Sequence, residues 1–123
     1  MDSLINLEKK INSELSTKVN SSQIKHSHLY LNIDANDLVD IMLYLKTSKD
    51  TMFKQLIDIT AIDYPQNEKR FKLVYLLLSH EFNQRIHIDY NITEKEIANS
   101  ITSIFPSANW MEREVFDMYG INF

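Results

Sequence analysis

The chain has 123 residues, 44% of them hydrophobic and 24% charged, with 13 basic against 17 acidic side chains and a net charge of −4. That balance fits one globular domain with a single core and offers no basic footprint for nucleic acid. With no cysteine and one glycine, the sequence excludes disulfides, thiolate zinc sites and iron–sulfur clusters. It also lacks the glycines that P-loops, dinucleotide fingerprints and nucleophile elbows need where backbone must approach a phosphate or turn sharply. The longest apolar run, Leu73 to Leu78, falls well short of the roughly 20 residues that span a bilayer. The opening Met1–Asp2–Ser3, with no arginine before Arg70, is unlike a secretory or transit peptide. Abundant Ile, Asn, Lys, Phe and Tyr with scarce Gly, Pro and Ala fit an AT-rich genome.

In chain order, Leu4, Leu7, Ile11 and Leu15 form a helical stripe. Gln23 to Ile33 alternates as a strand, with Leu29, Leu31 and Ile33 on one side and His26, His28 and Tyr30 on the other. Asp34 or Asn36 is placed to cap a helix whose stripe is Leu38, Ile41, Met42 and Leu45. Phe53 to Ile62 reads as a strand and Tyr64 to Lys69 as a turn. Phe71 to Ser79, a nearly continuous apolar run, has the mark of a strand covered on both faces. Arg85 to Asn91 alternates again, and these three segments predict an antiparallel meander. Thr93 with Glu96 forms a capping-box pattern before a helix carrying Ile97, Ile101 and Ile104; Pro106 ends that order, and Asn109 opens a last short helix. The predicted order α-β-α-β-β-β-α-α is that of an α+β fold over residues 1–123: two layers, with helices on one side of a mixed, largely antiparallel sheet.

The richest cluster of chemistry-bearing residues is Asn109 to Phe123, with Glu112, Arg113, Glu114 and Asp117. On a helix Arg113 and Asp117 are one turn apart and can pair, while Glu114 and Asp117 lie close enough to suggest acid/base or metal chemistry. Local physics favours a plainer reading. Asn109 and Glu112 fit a reciprocal cap, early acids suit the helix N-terminus, and Gly120 suits a left-handed C-cap. Of the four histidines, His26 and His28 share a predicted strand face, and His87 would complete a metal site only on a neighbouring strand; His80–Glu81 begins a zincin-like motif that fails at Gln84. Asp58 and Asp63 bracket a strand end, where Asp63 and Pro65 are natural turn-formers.

Together these segments resemble a known family, the 30 kDa (C-type) subunit of NADH-quinone oxidoreductase, respiratory complex I. Asp58 to Pro65 resembles its D-x-x-A-x-D-Y-P stretch, with Asp63, Tyr64 and Pro65 in register; Val74 to Ser79 followed by Asn83 and Arg85 resembles its tyrosine–leucine strand and asparagine–arginine turn. Glu112-Arg113-Glu114 followed by Asp117, Tyr119, Gly120 and Ile121 resembles its E-R-E-x-x-D-(L/M)-(F/Y)-G-I signature. The resemblance implies a scaffold without catalytic residues, flavin, cluster or metal of its own, FMN and iron–sulfur clusters residing in partner subunits. It would lie peripherally on the cytoplasmic face of a bacterial inner membrane or the matrix face of a mitochondrial one, packed against the quinone-site subunit. Glu112, Arg113, Glu114 and Asp117 then become candidates for buried pairs and partner contacts. The family continues past this motif into a C-terminal arm, whereas this sequence stops at Phe123. An exposed apolar patch is therefore expected around Trp110, Phe116, Ile121 and Phe123.

Three rival readings stand beside this one. They are a homologous module of a membrane-bound hydrogenase or formate-oxidising complex, a free-standing metal-dependent enzyme using the C-terminal carboxylates, and a plain oligomeric binding module.

Overall fold

The computed structural model describes residues 2–123; Met1, where the reading of the N-terminus begins, lies outside them. Helix α1 (Asp2–Glu14) is followed by β1 (Val19–Lys25), β2 (His28–Ile33), a 3-10 turn at Ala35–Asp37, α2 (Leu38–Thr47), β3 (Gln55–Asp63), β4 (Phe71–Ser79), β5 (Gln84–Ile92) and α3 (Ala108–Tyr119). The strands form one open sheet in the order β1-β2-β5-β4-β3. Only β2 and β5 run parallel; β3, β4 and β5 make the expected antiparallel meander. The α+β class and the mixed sheet with a helical layer are as the sequence predicts.

The core lies between the sheet and that layer. Leu4, Leu7 and Ile11 of α1 and Leu38, Ile41, Met42 and Leu45 of α2 meet Leu29, Leu31, Leu73, Leu77, Ile86 and Ile88 of the sheet, all buried. Tyr75 and Tyr90 sit fully buried in this layer, with hydroxyls 2.9 Å apart on adjacent strands. Burial holds both phenols neutral by raising their pKa values. Each hydroxyl is the other's polar partner. Tyr75→Phe is therefore expected to cost about 1–3 kcal/mol by orphaning Tyr90, while the double Tyr75→Phe/Tyr90→Phe variant costs less than twice that. Denaturant titration of the three variants checks the non-additivity; strictly additive losses would show that the hydroxyls are not coupled.

Four expectations require correction. The segment Gln23–Ile33 is not one strand but a hairpin, with β1 paired antiparallel to β2 across His26 and Ser27. Both turn residues have left-handed φ, 52° and 64°, the requirement of a two-residue hairpin turn whose twist suits the strands. Because Lys25 pairs with His28, the inward phase shifts from Ile24 to Leu29 across the turn; β1 is too polar to display that shift, and His-Ser carries none of the usual Asn-Gly signal. The cap expected from Asp34 or Asn36 does not form: Asp34, ahead of the 3-10 turn, accepts instead from Asn20 Nδ2 at 3.0 Å, and Asp37 precedes α2 without a side-chain cap bond.

The helix expected over Ile97–Ile104 does not form. Thr93 N–H does bond Glu96 Oε1 at 2.9 Å, but the following donors are taken by distant partners. Ala98 N–H donates to the Asn122 carbonyl and Ile101 N–H to the Glu112 carboxylate. Once tertiary acceptors satisfy these groups, the helical ladder is not needed to do so. Ile101 and Ile104 are buried all the same, while Ile97 is exposed.

Finally, β4 is covered by this chain's helices on one face only. Phe71, Leu73, Tyr75 and Leu77 are buried, and Lys72, Val74, Leu76 and Leu78 on the other face are half-buried.

Candidate functional site

Helix α3 begins at Ala108 after Ser107, not at Asn109, and ends at Gly120. Gly120 has φ 72°, and its N–H bonds the Phe116 carbonyl at 2.8 Å. A left-handed residue at this place favours glycine, as the sequence predicts. The 3.6-residue period then divides the signature between two faces. Ala108, Glu112 and Val115 point inward and are buried, whereas Trp110, Arg113, Glu114, Phe116, Asp117 and Met118 are exposed.

Glu112 is the residue sequence reasoning placed least well. It makes no reciprocal cap with Asn109 and, among the described residues, no ion pair. At 6% exposure its carboxylate accepts Ser100 Oγ–H at 2.8 Å and Ile101 N–H at 2.9 Å. It is an internal latch holding the irregular segment before α3 against the helix. The expected Arg113–Asp117 pair does not form either; among the described residues Arg113, Glu114 and Asp117 make no ion pair. Trp110 is 64% exposed and Met118 75%, so α3 presents unpaired charge interleaved with large apolar side chains. The expected apolar patch is partly corrected. Trp110 and Phe116 are exposed, but Ile121 is buried in the core and Phe123 is half-buried.

Helix α3 packs beside the edge strand β3. A shallow groove of about 260 Å³ separates them, lined by Asp58 to Ala61 on one side and Glu114, Val115, Met118 and Tyr119 on the other. The two sequence segments that carry the resemblance, some 50 residues apart in the chain, thus become neighbours. Tyr119 fixes the helix end by an edge-on contact with the Phe71 ring, 6.2 Å between centroids. Asp58 follows a bulge in β3, and its carboxylate accepts its neighbour's Ile59 N–H at 2.9 Å.

Asp63, Tyr64 and Pro65 lie at the far end of β3. Asp63 accepts from Arg70 Nε at 2.7 Å and from a second guanidinium nitrogen at 2.9 Å, and Arg70 also reaches Glu94 at 3.2 Å. Tyr64 N–H donates to the Arg70 carbonyl, closing the turn. Sequence reasoning missed Arg70. Its signal was available, because an arginine re-entering a hairpin next to the strand-end acid is in reach for a two-pronged contact. The Arg70 guanidinium holds the Asp63 carboxyl below its ordinary value of 3.8. A depressed acid contributes stability above that value and loses it as pH falls through the lowered one. Nuclear magnetic resonance titration of Asp63 is expected to show this depression, and Arg70→Ala to return it to about the ordinary carboxylate value; an unchanged midpoint would mean that the pair is not formed in solution.

Arg85 stands apart from both groups. It is exposed on β5 at the opposite end of the sheet from Asp63, following Asn83, whose φ of 50° makes the turn. The histidines do not assemble a metal site. His26 is in the β1–β2 turn, His80 lies beside Gln55, and only His28 and His87 meet, with Nδ1 and Nε2 2.8 Å apart. Among the described residues no group of three or more His, Asp or Glu side chains is placed to hold a metal ion. Nor is any described helix long and apolar enough to cross a membrane.

Fold and surface together define a small α+β domain whose charged and aromatic side chains project outward from a helix lying beside an edge strand. Residues 31–123 match the model of the respiratory-chain NADH dehydrogenase 30 Kd subunit, and the chain belongs to that family. It is 50% identical over 95 residues to the C-type subunit of the NADH-quinone oxidoreductase of Ruegeria pomeroyi, an alignment covering 76% of this chain and 48% of the relative. Over its whole length it is 39% identical to the same subunit of Ruegeria sp. (strain TM1040), covering 61% of that protein. The chain thus spans about half the length of the curated relatives it matches. Among solved structures it resembles a chain of the membrane-bound sulfane sulfur reductase, an archaeal respiratory membrane complex, with TM-score 0.83 and 25% identity, covering 96% of this chain and 68% of that one.

Proposed function

We propose that this chain is a scaffold subunit in the hydrophilic arm of a proton-translocating NADH:quinone oxidoreductase, without catalytic residues of its own. NADH gives up two electrons, a quinone receives them, and flavin and iron–sulfur clusters in other subunits carry them between. This chain supplies surface and rigidity next to the quinone-site subunit, peripheral to the membrane on its cytoplasmic or matrix side. The observation that carries the reading is α3. Among the described residues Arg113, Glu114 and Asp117 have no ion-pair partner, and they stand among exposed Trp110, Phe116 and Met118. Tryptophan and arginine are the residues that concentrate binding energy at protein–protein interfaces. The NADH-quinone oxidoreductase relatives support the enzyme assignment. The likeness to the sulfane sulfur reductase chain keeps a module of another respiratory complex as the second reading, at lower identity.

The test is purification of the tagged chain from native membranes that contain active enzyme. Recovery of the quinone-site and cluster-bearing subunits in equal amount is expected. A chain that purifies alone, while those subunits remain assembled with one another, overturns the proposal.

A further inference from the structure

The sheet face turned away from the helices carries side chains suited to cover. Direct cross-strand pairing places Tyr30 of β2, His87 of β5 and Leu76 of β4 in one row, and Asn32, Asp89 and Val74 in the next. Tyr30 stacks on the His87 ring at 4.3 Å and 8°, and His87 is joined to His28. Leu78 extends the aliphatic column along β4, and Ile62 of β3, paired with Lys72, is 42% exposed on the same side. A sheet with one solvated face ordinarily alternates apolar inward with polar outward. Strand β4, flanked on both sides by other strands, breaks that rule at three successive outward positions, Val74, Leu76 and Leu78.

Charge decides what kind of surface belongs there. Two acids lie within this face, each hydrogen-bonded by a neutral donor: Asp89 accepts from Asn32 Nδ2 at 2.6 Å, and Asp58 accepts from Ile59 N–H. Three cations stand at its ends. Lys25, paired with His28, and Arg85, paired with Leu78, stand at one end of the face, and Lys72 stands at the other. Among the described residues none of the three takes part in an ion pair. In a chain of net charge −4, this face thus carries three cations against two acids, with the cations at its ends framing an aromatic and aliphatic centre. That is the anatomy of an interface, an apolar core with a polar rim. Five strands spaced about 4.8 Å apart give it roughly 500 Å², a large part of the roughly 800 Å² per partner in a standard contact.

From this we infer that the open face of the sheet is a second docking surface, distinct from α3, and that it receives a partner protein presenting acidic side chains around an apolar patch. A second copy of this chain fits poorly. A two-fold contact sets the face against itself, and with the strands of the two copies aligned, either way round, cationic ends meet cationic ends. The inference rests on the reading of this chain as part of a larger complex.

The test uses the chain in its native membranes with a photo-crosslinking phenylalanine analogue at Leu76, and the same probe at Trp110 on α3 for comparison. The Leu76 probe is expected to join the chain to a different subunit, at a segment rich in Asp and Glu. Crosslinking between two copies of this chain, or none at Leu76 while the Trp110 probe crosslinks, overturns this inference alone. Silence at both positions overturns the reading of the chain as a subunit on which it rests. In parallel, Lys25→Glu with Arg85→Glu is expected to lower incorporated chain at least tenfold, with thermal unfolding of the purified chain unchanged. Undiminished incorporation would overturn the charge complementarity.

Discussion

Replacing Trp110 and Arg113 together, as Trp110→Ala with Arg113→Glu, is expected to remove most of the chain from the assembled complex while leaving its own folding intact. Both side chains are exposed, and among the described residues Arg113 makes no ion pair. Substitution at such sites changes stability by about 0.5 kcal/mol or less. At an interface the same residue types contribute about 2–4 kcal/mol, which at 1.4 kcal/mol per decade weakens binding about 30-fold or more. Native gels of membranes, read beside thermal unfolding of the purified chain, separate the two quantities. Incorporation that falls only as far as stability falls would show that α3 contributes structure and no contact.

The opposite pattern is expected one residue away. Glu112→Ala strips the acceptor from the buried Ile101 N–H and from the Ser100 hydroxyl. A charged acceptor serving buried donors contributes about 2–3 kcal/mol, a large share of the roughly 5–15 kcal/mol by which a domain of this size is stable. The thermal midpoint is expected to fall by about 5–10 °C. Glu112→Gln, which keeps the shape and one acceptor oxygen, should lose less. Hydrogen exchange should rise first at the Ile101 amide, because the irregular segment before α3 is held by this carboxylate and by the Asn122 carbonyl. Glu114→Ala, by contrast, should leave stability unchanged, since Glu114 is exposed and makes no ion pair among the described residues. Equal effects at the two glutamates would refute this division of labour.

Much of this molecule was legible before folding was considered. The stripe Leu38, Ile41, Met42 and Leu45 gave α2, the meander followed from three alternating or apolar runs, and Gly120 announced the end of α3. Local periodicity and backbone strain fix such features because they depend on residues a few positions apart. The β1–β2 hairpin escaped because its left-handed turn is made by His26 and Ser27 rather than Asn-Gly, and because β1 is too polar to display the change of phase across it. The helix predicted through Ile97 failed because Glu112 and Asn122, residues far along the chain, took the backbone donors a helix would have used.

The candidate site divides in the same way. The residue types Glu112, Arg113, Glu114 and Asp117 were evident in the sequence and carried the family resemblance. Their separation into one buried latch and three outward charges was not, since it follows from which side of α3 meets the sheet. That contact also brought Asp58 beside Glu114 and left Arg85 at the other end of the sheet. By itself the sequence determined the fold class, the family and the cofactor motifs that are ruled out, all properties of composition and short-range order. Tertiary structure alone decided which charges point outward and which sheet face the helices leave uncovered, because burial and pairing depend on contacts between residues distant in the chain.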